Sequence, residues 1–186
     1  MNLYRVLAAA DTALATAGRH RERWLTKPLL MPALLRGRDR RTQAALALGG
    51  AGDIALQADR FTAGLGAFLV GHLAWIAALR PHSRGFATPA KAAPYAVAWV
   101  GFNAFLWNRT GRDRIPVLLY STALLGTALA SLDTGQPAGG ALFLISDGLL
   151  SLERFADVSL PLHEGLVMAT YTTAQGLLAQ STQVRA

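Results

Sequence analysis

The sequence predicts an all-α, polytopic transmembrane bundle of about eight short spans around a polar pocket, and three observations carry that prediction. The first is composition: 52% of the 186 residues are hydrophobic and only 16% are charged, few for a water-facing surface. The second is segmentation. Residues 61–79, 92–108, 115–132 and 165–184 contain no Asp, Glu, Lys or Arg, and each is long enough, or nearly so, to cross about 30 Å of hydrocarbon. Two more stretches, 42–58 and 134–153, carry an acid near the middle, Asp53 and Asp147. The third is the placement of cations. The Arg residues behind the net charge of +7 cluster in the connections, where they meet lipid phosphates. No basic face is interleaved with aromatics, so nucleic acid is not an expected partner. Cysteine is absent, which excludes a disulfide framework and a thiolate metal site.

Taken in order, residues 1–18 imitate a secretory signal, but Asp11 in the middle argues for an uncleaved first span. Arg19, Arg21 and Arg23 follow at the membrane surface. The segment 24–35 holds Lys27, Pro28 and Pro32; proline bends or breaks helices, so a short or kinked span is expected, with Lys27 near one end, snorkelling to headgroups on its own evidence. The third span, 42–58, places Gly49 and Gly50 on the face of Asp53, where small residues let another backbone approach, and Gln57 extends that polar stripe. No GK[ST] follows Gly49–Gly52, so a phosphate loop is not indicated. The fourth span carries His72, with Phe68 and Trp75 on its face at helical spacing; a buried packing histidine and a site-lining one are both open readings. The fifth, 92–107, has Tyr95, Trp99, Trp107 and one amide, Asn103. The sixth, 115–132, reads as scaffold. The seventh brings Asp147. In the last, Tyr171 and Gln175 lie one turn apart on one face. The split of Lys and Arg between the two sides, Arg84 and Arg185 included, leans slightly toward cytoplasmic termini. The whole of 1–186 is expected to be one integral membrane domain.

Asp147 sits in Gly139–Leu152 among seven large apolar residues. Each favours insertion by roughly 0.5 kcal/mol and the Asp costs about 3. Such an acid turns toward a bundle interior, and by default marks a functional site; a structural Asp bonding a neighbouring helix is the plain alternative.

The order of these polar landmarks resembles the YhhN-like family, the lysoplasmalogenases. The matching pieces are TKPLLMP at 26–32, GD at 52–53, RFTAGLGAFLVGHLAWI at 60–76, GALFLISDGLL at 140–150 and TYTTAQ at 170–175. Trp75 stands where the family commonly has Tyr. The resemblance implies an eight-span membrane enzyme, multi-pass in a bacterial inner or cell membrane. It would hydrolyse the vinyl ether bond of lysoplasmalogens to a fatty aldehyde and glycerophosphoethanolamine or glycerophosphocholine, with Asp53 and Asp147 as its two aspartates.

The chemistry is compatible. Vinyl ether hydrolysis needs an acid that protonates carbon and a carboxylate that handles water and the developing positive charge, a division two buried carboxylates provide, as in glycosidases. On this reading Asp53 and Asp147 are acid and base in either order, and Lys27 holds the substrate phosphate. His72, Tyr171, Gln175 and Asn103 complete the substrate contacts, and the apolar surfaces of neighbouring spans hold the alkenyl chain. No cofactor or metal is expected, and the partners are a lysophospholipid and the bilayer. Two other readings fit the same residues: a metal-dependent hydrolase with Asp53, His72, Asp147 and His163 as ligands, and a non-catalytic lipid carrier or receptor.

Overall fold

The charge-free stretches fold as helices, and the Arg-rich and Pro- or Gly-containing stretches between them form the breaks. The computed structural model describes residues 2–83 and 87–183, and among the described residues every regular element is helical. Arg84, Arg185 and Val184 lie outside them. In chain order the helices are α1 (Asn2–Thr16), α2 (Lys27–Leu30), α3 (Pro32–Leu35), α4 (Arg40–Gln57), α5 (Phe61–Leu79), α6 (Pro89–Leu106), α7 (Arg114–Ser131), α8 (Ala138–Ala156) and α9 (His163–Ser181). The seven long helices, with the α2–α3 segment, match the eight expected segments in order. At 1.5 Å per residue, the 19 residues of α5 extend about 28 Å.

The second segment is not one continuous helix. Pro28 and Pro32 each open a separate four-residue turn, because a residue without an N–H is accommodated in the first turn of a helix but not in its interior. The nine residues from Lys27 to Leu35 reach only about 14 Å. They lie against α1 and α4, which sets Lys27 beside the bundle interior.

Two stretches, Phe61–His82 and Gly111–Ser131, are long and apolar enough to cross a membrane by length and composition. Three of the other long helices turn polar side chains inward: Thr42 and Asp53 on α4, Ser146 on α8, Thr172 and Gln175 on α9 are all buried. The outer faces instead carry Val70, Leu73, Val97, Val100, Leu119 and Ile145, all exposed. A surface that is apolar outside and polar within suits hydrocarbon surroundings.

Small residues set the helix spacing. A Cβ on Gly64 would lie 3.3 Å from the Gly52 carbonyl oxygen, and one on Gly140 would lie 2.5 Å from the Ala128 Cα. Helices α4 and α5, and α7 and α8, are therefore in backbone-close contact. Helix α1 is tied in by the Tyr4 hydroxyl, which donates to the Thr172 carbonyl at 2.5 Å, and by fully buried Asp11. Asp11 accepts from Arg23 at 3.2 Å and from the Thr26 hydroxyl at 2.7 Å. Helix α6 is the loosest: it packs chiefly on α7 and buries only Leu106.

Candidate functional site

Helices α4, α5, α7, α8 and α9, with Lys27 of α2 and the turn before it, converge on a cavity of about 580 Å³, with Asp53 and Asp147 both in its wall. That size falls in the range of about 300–1,000 Å³ usual for small-molecule sites. Its mouth carries His20, Arg21, Arg23, Glu153, Arg154 and Glu164, and its inner wall includes Phe68, Tyr120, Met168 and Tyr171.

Asp53 is buried at 3% exposure. Its Oδ1 lies 3.5 Å from the Lys27 Nζ, and its Oδ2 accepts from the Tyr171 hydroxyl at 2.7 Å. Behind Tyr171, Gln175 Nε2 donates to the tyrosine oxygen at 3.2 Å. The Gln175 amide fits because position 49 is glycine: a Cβ there would stand 3.1 Å from Nε2. Asp53 thus has one cation and one hydroxyl donor at its oxygens, the hydroxyl itself held by Gln175.

Asp147 is half-buried and faces the cavity. Its Oδ2 is hydrogen-bonded to the Tyr120 hydroxyl, and among the described residues no cation lies within ion-pair distance of it. Tyr120 lies 3.3 Å from His72 Nε2, and His72 Nδ1 lies 3.1 Å from the Thr127 hydroxyl. Thr127 in turn faces the His72 and Ala123 carbonyls, each at 3.2 Å. Phe143 packs edge-on to both His72 and Tyr171, with centroids at 4.6 and 5.4 Å, and so braces the two halves against one another.

Of the sequence-predicted residues, Asp53, Asp147, Lys27 and Tyr171 line the cavity. Lys27 points inward to a carboxylate rather than outward to headgroups. His72 and Gln175 do not line the cavity; each stands behind a tyrosine, His72 behind Tyr120 and Gln175 behind Tyr171. Asn103 is elsewhere. It accepts from Ser121 Oγ at 3.0 Å and donates to the Trp99 carbonyl at 2.9 Å, in the wall of a second cavity between α6, α7 and α8. The four residues of the metal reading do not converge, and among the described residues no three His, Cys, Asp or Glu side chains do. His163 accepts the Leu160 N–H at Nδ1 and donates from Nε2 to the Leu149 carbonyl, both at 3.1 Å.

Sequence reasoning missed Tyr120, because α7 read as apolar scaffold. The available signal was Tyr120 and Thr127 seven residues apart, two turns on one face of an otherwise apolar helix. It also passed over the cavity-lining Arg154, held over the Phe61 ring at 3.7 Å, and gave Gln57 no role in the site. Both Gln57 amide atoms are buried without a partner, in the cavity wall one turn from Asp53.

Two relatives are each named lysoplasmalogenase, one from Mycobacterium bovis and one from Mycobacterium tuberculosis. Each is 37% identical over 165 residues, covering 81% of this chain and 56% of the relative, so the chain spans little more than half the length of the curated relatives it matches. No solved structure gives a significant match. The profile described as the YhhN family matches residues 22–182, which take in every side chain of the aspartate cavity but His20 and Arg21, and the chain belongs to the YhhN family.

Proposed function

We propose that the chain is a single membrane-embedded unit that hydrolyses the vinyl ether bond of lysoplasmalogens, with Asp147 as the acid and Asp53 as the carboxylate that activates water. The observation that carries this reading is the unlike surroundings of the two aspartates on one cavity; the relatives' name supplies the substrate class.

The order follows from counting protons. The Thr127 hydroxyl has one proton and lies 3.2 Å from two carbonyls; on this reading it donates to one of them and accepts from His72 Nδ1–H. A neutral imidazole protonated at Nδ1 accepts at Nε2, and its neighbour there is Tyr120. With the Tyr120 hydroxyl donating to His72 Nε2, the proton between Tyr120 and Asp147 is the carboxylic acid's own. The other neutral tautomer, with Thr127 donating to Nδ1 and Nε2–H donating to Tyr120, turns the tyrosine proton toward Asp147 and leaves an ionised carboxylate with no cation beside it, at a higher desolvation cost. On the other side the count runs the opposite way: Gln175 donates to Tyr171, and Tyr171 donates to an Asp53 carboxylate paired with Lys27.

The reaction then closes without a cofactor. Asp147 delivers its proton to the vinyl carbon remote from the ether oxygen, leaving positive charge shared by the adjacent carbon and oxygen. Water adds to that carbon as its proton passes to Asp53. The hemiacetal splits with its hydroxyl proton moving to the glycerol oxygen, giving aldehyde and alcohol, and the proton on Asp53 returns to Asp147 across the cavity. Asp53 also faces the developing cation, where a fixed negative charge lowers the barrier. The unpartnered Gln57 amide meets the glycerol hydroxyl. Arg154, with no carboxylate at ion-pair distance among the described residues, meets the phosphate at the mouth.

The test is purified protein in D2O with lysoplasmenylethanolamine and its saturated-ether and acyl counterparts. Aldehyde from the vinyl ether alone, carrying one deuterium on the carbon next to the carbonyl, supports the reading. Fatty acid from the acyl lipid, or saturable binding of all three without product, overturns it.

A further inference from the structure

Helix α8 separates two cavities and has a different face on each. Ala141, Leu144, Ile145 and Gly148, at helical spacing of three and four, line the second cavity. Ser146, Leu150, Glu153 and Arg154 line the first. Asp147 and Ser151, with Val117 and Tyr120 of α7, line both, so the two cavities meet at the aspartate proposed to be the acid.

Their linings are chemically opposite. The first has charged residues at its mouth and Lys27 with two aspartates inside; the second, about 440 Å³, is walled by Pro94, Trp99, Phe102, Leu106, Leu124 and Leu144. Three of the polar groups in that wall are paired with one another, since Trp99 Nε1 donates to Ser121 and Ser121 donates to Asn103. An amphipathic ligand threaded past Asp147 would place its polar end in the first cavity and its hydrocarbon in the second. The outer wall is α6, the least buried of the long helices, whose Val97 and Val100 are exposed on its far side.

We infer that the second cavity binds the hydrocarbon chain of the substrate, and that Gly148 sets the chain length it accepts. The inference rests on the lysolipid reading above and adds its orientation: headgroup toward Arg154, chain between α6 and α8, reacting carbons beside Asp147. A lysolipid has its vinyl ether at the junction of polar head and apolar chain, which is where the two cavities join. Gly148 is the aperture residue because a Cβ there meets nothing within 4 Å, so a larger side chain enters the cavity rather than displacing a helix. Each buried methylene is worth about fourfold in affinity, so losing room for several methylenes has a large effect on long chains and little on short ones.

The experiment measures thermal stabilisation of the purified protein by saturated-ether lysophosphoethanolamines of graded chain length, together with aldehyde release from vinyl ether lysolipids of the same lengths. The proteins are wild type, Gly148→Leu on α8 and Ala98→Leu on the facing wall of α6. Expected is a wild-type preference that rises with chain length and falls at least about tenfold, long relative to short, in both variants. An unchanged chain-length profile in variants that fold and release aldehyde overturns the inference while the vinyl ether reading stands. Chain-length-dependent stabilisation that the variants shorten, without aldehyde from any lipid, overturns the reading of the reaction while the chain site stands. Should one variant fail to fold, the other decides, because the two enter the cavity from different helices.

Discussion

Asp53–Tyr171 and Asp147–Tyr120 are chemically the same pair set in unlike surroundings. Behind Tyr171 stands Gln175, which can only donate through its Nε2; behind Tyr120 stands His72, whose other nitrogen is engaged by Thr127. Beside Asp53 lies Lys27; beside Asp147 no cation lies within ion-pair distance among the described residues. The difference teaches that two identical aspartate–tyrosine pairs can be set apart by the residue behind each tyrosine; on the proposed reading that residue decides which way the tyrosine proton points, and so which aspartate serves as the acid.

The largest effects come from removing either member. Asp147→Asn and Asp53→Asn should each lower the rate of aldehyde release by about 10³-fold or more, but their stabilities should part. Asp147→Asn keeps a polar partner for Tyr120 and should leave the melting temperature close to wild type. Asp53→Asn strands Lys27 and should cost about 3–5 kcal/mol in unfolding.

Lys27→Met breaks the comparison from the other side, leaving a buried carboxylate unpaired, with a destabilisation of similar size. The double variant Lys27→Met/Asp53→Asn should recover most of that stability and none of the activity. A strictly additive double-mutant cycle would show that the 3.5 Å pair carries no coupling.

His72→Gln sharpens the comparison by making the second pair resemble the first. An amide N–H facing Tyr120 turns its proton toward Asp147, so aldehyde release should fall about 10- to 100-fold with the fold retained. An unchanged rate would show that the histidine does not orient Tyr120.

The smallest effect falls on a third aspartate outside the comparison. Asp39 caps α4, accepting from Arg41 N–H, Thr42 N–H and the Thr42 hydroxyl at 2.8, 3.1 and 2.6 Å. Burial pushes its carboxyl up, but these hydrogen bonds, with His82 nearby, hold it below the usual carboxylate range. The folded value is thus below the unfolded one, about 3.9. Its stabilisation is present above that pH and is lost as pH falls through the folded value. Asp39→Ala should cost about 1 kcal/mol at neutral pH, with the difference from wild type shrinking as pH falls below about 3.9 and gone once pH is below the folded value.

Most of the helix order was legible because charge-free runs are long-range facts of composition: 61–79 became Phe61–Leu79, and 115–132 became Arg114–Ser131. The α2–α3 turns were only half legible. Two prolines announce a break, but whether the pieces cross or fold back depends on α1 and α4. Asp53, Tyr171 and Gln175 were found because each lies in a polar stripe on its own helix. Tyr120 was not, since a tyrosine among leucines has the same local pattern as an interfacial aromatic. Lys27 was placed at headgroups because snorkelling is the rule for a lone lysine, and Asp53, the partner that reverses it, is 26 residues away. Asn103 had the right chemistry for a site, but Ser121 and the Trp99 carbonyl had already taken it up.

The division between the two aspartates is tested most directly by infrared spectroscopy of the purified protein at neutral pH, following the carbonyl stretch of a protonated carboxylic acid and its shift in D2O. The account predicts such a band in wild type and in Asp53→Asn, and its loss in Asp147→Asn. A band that survives in Asp147→Asn and disappears in Asp53→Asn would reverse the roles, and its absence from wild type would contradict the acid assignment.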